Sequence, residues 1–283
     1  MKAIDLYNHL EKDFRLAICE DYWDEMDFNE YITQSFKDRF MGLVTDNTDV
    51  VNYVYTAVFP SAKIIEKIIA DDRRNALLFV HHPMTWDVTK NEVFTDIPKA
   101  YLAELKERKI SIYNLHIPLD ANGTYGTTYN FAKAVGIEMT EEFHEYGGVK
   151  VGVIGKTICK TVHELQKQFE SAVGHEVKLY KYGNEEIKDG LVGMVAGGGN
   201  AASGYRYLYE RGINVYLTGI TKQTEGFAPS IEAHEAAKEC GINILAGTHY
   251  STEKFACIKV IEYFLQLGID AEFVPDAPCF EDM

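Results

Sequence analysis

From about residue 50 onward the chain repeats one pattern, a short apolar run bounded by turn residues and followed by a stretch with helical spacing. The runs are 50–59, 76–80, 110–115, 149–154, 191–196, 214–217 and 242–246. Runs this short and continuously apolar fit strands covered on both faces, and the helices between them supply the cover. Segment 61–69 reads as one such helix, with Ser61 placed to cap it and Ile64, Ile65, Ile68 and Ile69 on its apolar stripe, and 98–109 reads as another. This order predicts an α/β fold with mixed, largely parallel sheets. A chain of 283 residues can build one large or two ordinary domains. No Pro-, Ser- or Gly-rich linker divides it, so two interlocked lobes are expected rather than separate beads. We set the first at 1–128 plus 235–283 and the second at 129–234, seeded by the strand, helix (162–173), strand pattern of 149–184.

The first forty residues differ. Ile4, Tyr7, Leu10 and Phe14 recur at helical spacing, whereas Glu20 to Glu25 is too charged for a core and reads as a cap or an interface arm. Over the whole chain 28 Lys and Arg face 43 Asp and Glu, a formal net charge of −15. With no basic cluster, that field repels phosphate backbones and anionic lipid, which argues against nucleic-acid and membrane partners. An early acid, Asp5, and the lack of any apolar run of membrane-spanning length predict a soluble, cytoplasmic protein. Five scattered cysteines without a Cys-x-x-Cys pair predict buried thiols, not a disulfide framework or a cysteine zinc site.

In open α/β sheets, ligands gather beyond the carboxyl ends of the strands, where loops are free to carry side chains. After 76–80 comes His81-His82-Pro83, after 110–115 comes His116-Ile117-Pro118-Leu119-Asp120, and after 242–246 comes Gly247-Thr248-His249-Tyr250-Ser251-Thr252-Glu253. Adjacent histidines in a regular strand point to opposite faces, but at a strand end, where Pro83 withdraws an N–H from the ladder, both can turn into one cleft. Pro118 is expected to keep 116–120 out of a helix, and Ser251 or Thr252 to cap a helix with His249 on the loop before it and Glu253 on its first turn. Each piece alone has a bland reading, since paired or i, i+4 histidines and acids more often make structural hydrogen bonds. Their coincidence at three strand exits points to one site. Imidazole nitrogens with carboxylates that can bridge suit two divalent cations such as Zn, Mn, Fe or Co.

Other features carry less. Gly197-Gly198-Gly199-Asn200 sits between a strand and a helix and could present N–H groups to an anion, but it lacks both dinucleotide-binding and phosphate-loop patterns, so tight turn chemistry is its default. His234 lies in a helical stretch and reads as solvated or at an interface. His9, His144, His163 and His175 read as surface residues. No Gly-x-Ser-x-Gly elbow supports a serine nucleophile.

Taken together, segments 78–83, 114–120, 195–199, 215–219 and 249–253 resemble the Ngg-interacting-factor-three-like family, also known as type-two GTP cyclohydrolase I-like proteins. The resemblance runs from about residue 40 to the end. It implies two interlocked α/β lobes, a two-metal centre in the cleft between them, and a homo-oligomer, often a hexamer. By position the implied metal ligands are His81, His82, Asp120, His249 and Glu253, with His116 close by. The chain departs from relatives at Ile220, where an acid often follows Thr-Gly, and in the acidic-aromatic stretch of 19–40, which looks like an addition. The leading expectation is a metal-dependent hydrolase of a small, nucleotide-like substrate, with GTP ring opening one candidate and His116 moving a proton. The alternatives are a non-enzymatic metal-binding interaction or regulatory protein, and a nucleotide-binding module built on 197–199.

Overall fold

Strand Ala76–Val80 shows why the apolar runs fold as they do: all five residues are buried, so neither face can be polar. The computed structural model describes residues 1–90, 92–225 and 227–283. These form two compact units, one of Met1–Ala121, Tyr146–Val149 and Ala256–Ala277, the other of Asn122–Glu145, Lys150–Phe255 and Pro278–Met283.

In the first unit five strands lie in the spatial order Gly42–Thr45, Ile110–Asn114, Ala76–Val80, Tyr53–Ala57, Asp270–Phe273. All neighbours are parallel except Gly42–Thr45, which runs antiparallel at one edge. Helix Ala62–Ala70 begins where Ser61 accepts a hydrogen bond from the Ile64 N–H, and it buries Ile64, Ile65 and Ile68 against Leu78, Val80, Leu102, Leu105 and Ile112. Helix Ala3–Asp13 buries Leu6, Tyr7 and Leu10, and Tyr7 stacks on Tyr113 with centroids 5.6 Å apart. The expectation that the acidic stretch lies outside the core is corrected here. Trp23 and Met26 are buried in the same core as the isoleucine stripe.

The second unit's sheet has the order Glu138–Tyr146, Val149–Lys156, Leu191–Val195, Val215–Thr218, Asn243–Ala246, Lys178–Tyr180. Its three central strands are parallel, with antiparallel pairings at Val149–Lys156 and Lys178–Tyr180. The fold is therefore α/β with mixed sheets, as expected. A capping box starts helix Val162–Val173, where Thr161 and Glu164 satisfy each other's backbone N–H. The chain passes between the units at 121/122, 145/146, 149/150, 255/256 and 277/278. Helix Ala228–Cys240 and strand Asn243–Ala246 belong with the second sheet because Ala233, Ala236, Ala237 and Ile244 share a core with Val195 and Tyr216. Among the described residues no helix is long and apolar enough to cross a membrane.

His234, expected to be solvated or at an interface, is 1% exposed. Its Nδ1 accepts from the Tyr182 hydroxyl at 2.9 Å and its Nε2–H donates to the Thr221 carbonyl at 2.7 Å. Burial holds its pKa below the ordinary histidine value, against the Thr221 hydrogen bond and with help from Lys238 and Lys178. The unfolded chain therefore binds a proton near pH 6.5 that the folded ring resists, so stability is intact above that pH and lost as pH falls below it. Denaturant unfolding at decreasing pH should show the wild type losing up to about 1.4 kcal/mol per pH unit more than His234→Gln, whose amide can keep both bonds. Equal losses would refute this assignment.

Candidate metal centre

The first unit gathers three imidazoles and a carboxylate. His81 and His82 keep their backbone in the sheet, their N–H groups donating to the carbonyls of Ala57 and Val58 at 3.1 and 2.9 Å. Both side chains are buried, at 0% and 1% exposure. Their rings nevertheless lie only 4.4 Å apart between centroids, so both turn to one side at the strand end. The His81 Nδ1–H donates to the Leu115 carbonyl at 2.9 Å, which leaves Nε2 as the lone-pair nitrogen, 3.5 Å from Asp120 Oδ1. His82 stacks on Phe59 at 4.6 Å. Each of His81, His82 and His116 offers a ring nitrogen within 4.8 Å of the others.

His116 caps a one-turn helix, Ile117–Asp120, that starts directly after strand Ile110–Asn114. This corrects the expectation of a loop. Pro118 sits in the first turn, where a missing N–H costs nothing and its fixed φ suits a helix. The Asp120 N–H consequently bonds the His116 carbonyl at 3.0 Å, and the i, i+4 spacing leaves His116 Nε2 3.7 Å from Asp120 Oδ2. On the other side His116 Nδ1 lies 3.1 Å from both carboxylate oxygens of Asp21. Burial alone would favour a neutral His116, but the Asp21 charge and hydrogen bond, with a contribution from Asp120, outweigh it and raise the pKa despite His81. Asp21 answers in kind: burial pushes it up, while His116, the Tyr22 backbone N–H and the Trp23 side chain bring it below the ordinary carboxylate value.

The second unit, taken by itself, pairs one imidazole with one carboxylate. Helix His249–Lys259 begins at His249 itself, a correction to the placement of the histidine on a loop. Thr248 is the cap: its hydroxyl accepts from the Ser251 N–H at 3.1 Å and the Ser251 hydroxyl accepts from the Thr248 N–H at 3.0 Å, a reciprocal pair. His249 and Glu253 are then one turn apart, with Nε2 and Oε1 at 3.1 Å and side-chain exposures of 5% and 4%. The His249 N–H donates to Asp282 Oδ2 at 2.8 Å, and the Asp282 carbonyl accepts from Thr221 and Lys222.

The glycine loop packs against this helix. The Gly197 N–H donates to Thr252 Oγ1 and the Gly199 N–H to Thr218 Oγ1. These two donors are thus spent inside the protein, which removes support for an anion cradle. Gly197 has φ +65°, and a Cβ there would lie 2.1 Å from Glu253 Oε1. Its role is close approach.

The donors fit a divalent first-row cation. Imidazoles beside carboxylates, with the His81 ring oriented by its bond to the Leu115 carbonyl, form a set that zinc, manganese, iron and cobalt all accept. Sequence reasoning missed three contributors, Asp21, Trp23 and Asp282, and had read Gly197 as part of a turn or anion loop, not as the close neighbour of Glu253. Trp23 places its ring edge-on to His116 at 5.1 Å and to His82 at 5.9 Å. The signal available for it was an apolar pair at i, i+3, Trp23 and Met26, inside the acidic run.

Comparison with known proteins matches residues 33–275 to the Duf34/NIF3 (NGG1p interacting factor 3) family. A GTP cyclohydrolase 1 type 2 homolog from Archaeoglobus fulgidus is 31% identical over 236 residues, covering 82% of this chain and 87% of that protein. One from Borreliella burgdorferi is 25% identical over 249 residues, covering 87% and 90%. The solved structure of protein ybgI, described as of unknown function, shares the fold with a TM-score of 0.75 at 20% identity, covering 99% of this chain and all of that one.

Proposed function

The chain belongs to the Duf34/NIF3 family, and from that premise we propose that it is a hydrolase of a small, nucleotide-like substrate, dependent on two divalent cations. The ligands in this reading are His81, His82, Asp120, His249 and Glu253. The observation that carries it is the trio of buried His81 and His82 with partly buried His116, whose ring nitrogens lie within 4.8 Å of one another. Three imidazoles gathered this closely beside a carboxylate make a donor set of the kind that divalent first-row cations take. Cations held there would supply Lewis acidity toward a C=N, C=O or P–O bond. Asp120 and Glu253 balance charge, and Phe59 and Trp23 wall His82 against water. His116 is assigned a proton-carrying role through Nε2. The names of the relatives make GTP ring opening one candidate reaction.

Elemental analysis of protein purified without added metal tests the centre, and turnover against nucleoside triphosphates and phosphoesters tests the reaction. His116→Asn should keep metal content and melting temperature while lowering turnover by about 10² to 10⁴-fold, the usual worth of a positioned acid or base. Metal-loaded wild type that turns over none of these substrates would leave a metal-binding regulatory role in place of the hydrolase.

A further inference from the structure

Residues 19–23 lie upstream of the family match, which begins at residue 33, yet they reach His116. The Glu20 N–H donates to the Gly147 carbonyl at 3.0 Å. At the same turn there is no room to spare: a Cβ on Gly147, whose φ is +56°, would lie 2.6 Å from the Glu20 carbonyl oxygen and 2.7 Å from Ile117 Cγ2. The segment is thereby clamped between the Gly147-Gly148 turn and the helix that carries Asp120. This delivers Asp21, with its side chain 2% exposed, to His116 Nδ1, and sets Trp23 edge-on to the same ring.

A buried carboxylate is acceptor-only, so the hydrogen bond requires the proton on Nδ1. The Nε2 lone pair is then turned to the side where Asp120 Oδ2 lies, at 3.7 Å. We propose that Asp21 is a positioning residue, supplied by a segment outside the family match, that fixes His116 as the Nδ1–H tautomer and commits Nε2 to the centre. Trp23 blocks the ring flip that would undo it. The inference deepens the reading above, because it gives the proton carrier its orientation; its test does not depend on that reading being right.

The measurement is two-bond proton–nitrogen correlation NMR on full-length, zinc-loaded protein carrying nitrogen-15 histidine, with His116 identified by its loss in His116→Asn. It is made at about pH 8.5, above the ordinary histidine range, where neutral rings display their tautomer. The wild type should show a protonated Nδ1 and a bare Nε2 at His116. Asp21→Ala should convert this to the opposite tautomer or a mixture, and Asp21→Glu should restore it. A wild-type ring protonated on Nε2 with Nδ1 bare overturns the proposal without any variant, as does an Asp21→Ala pattern identical to wild type. For any substrate the wild type turns over, Asp21→Ala should lower kcat by about 10² to 10³-fold with zinc content unchanged, consistent with the worth of a group that orients a catalytic histidine. If His116→Asn retains full turnover while the tautomer still follows Asp21, the proton-carrier reading fails and the tautomer assignment stands.

Discussion

Replacing Gly197 with alanine is expected to destabilise the second unit by about 3 kcal/mol, lowering its melting temperature by on the order of 6–12 °C. Two penalties combine. The left-handed backbone at φ +65° is strained for any residue with a Cβ, by about 1–2 kcal/mol. The new methyl also falls 2.1 Å from Glu253 Oε1 and 3.3 Å from His249 Cδ2, so the carboxylate must leave its place. Glu253 sits on the first turn of a helix whose start is fixed by the Thr248–Ser251 pair, so it has few ways to retreat. Metal content should fall along with stability. Gly198→Ala is the control, because its Cβ would meet only Ile220 Cδ1 at 3.5 Å and its φ is not in the left-handed region. Equal behaviour of the two variants by calorimetry and elemental analysis would show that the loop has no such role.

His81→Ala and His82→Ala are each expected to lower metal affinity by more than about 100-fold, since changes one shell further out already cost about 10- to 100-fold. Both also leave a void in a fully buried site, worth about 2–4 kcal/mol by analogy with large-to-small core changes. The two contributions separate by experiment. Chelating the wild type removes only the metal's share, about 2.7 kcal/mol for metal held at 100 times its dissociation constant. Each alanine variant should then melt below the chelated wild type, with elemental analysis showing the metal gone. A variant that retains full metal content removes that histidine from the ligand set.

Much of this architecture is legible in residue order because the strands are buried on both faces and therefore announce themselves as continuous apolar runs. Ala76–Val80 coincides with its run, and helix Val162–Val173 with its expected span. The site histidines were legible for a related reason: a strand's end fixes where the next residues project. What was not legible depends on partners distant in sequence. Asp21 meets His116 across 95 positions, and no local periodicity records that. The acidic stretch was misjudged because charge density describes the segment as a whole, whereas burial is decided side chain by side chain. The one-turn helix at Ile117–Asp120 was missed because Pro118 was read as a breaker, a role it lacks in a first turn. Mixed sheets were expected, but which strands run antiparallel was not legible, since an apolar run carries no direction.

The histidine pair stays laced into the first sheet through the Ala57 and Val58 carbonyls. Donors mounted on a ladder rather than on a mobile loop have little freedom to spread. Such a mount should discriminate among ions by radius, because a larger ion could be held only by spreading the strands that carry the donors.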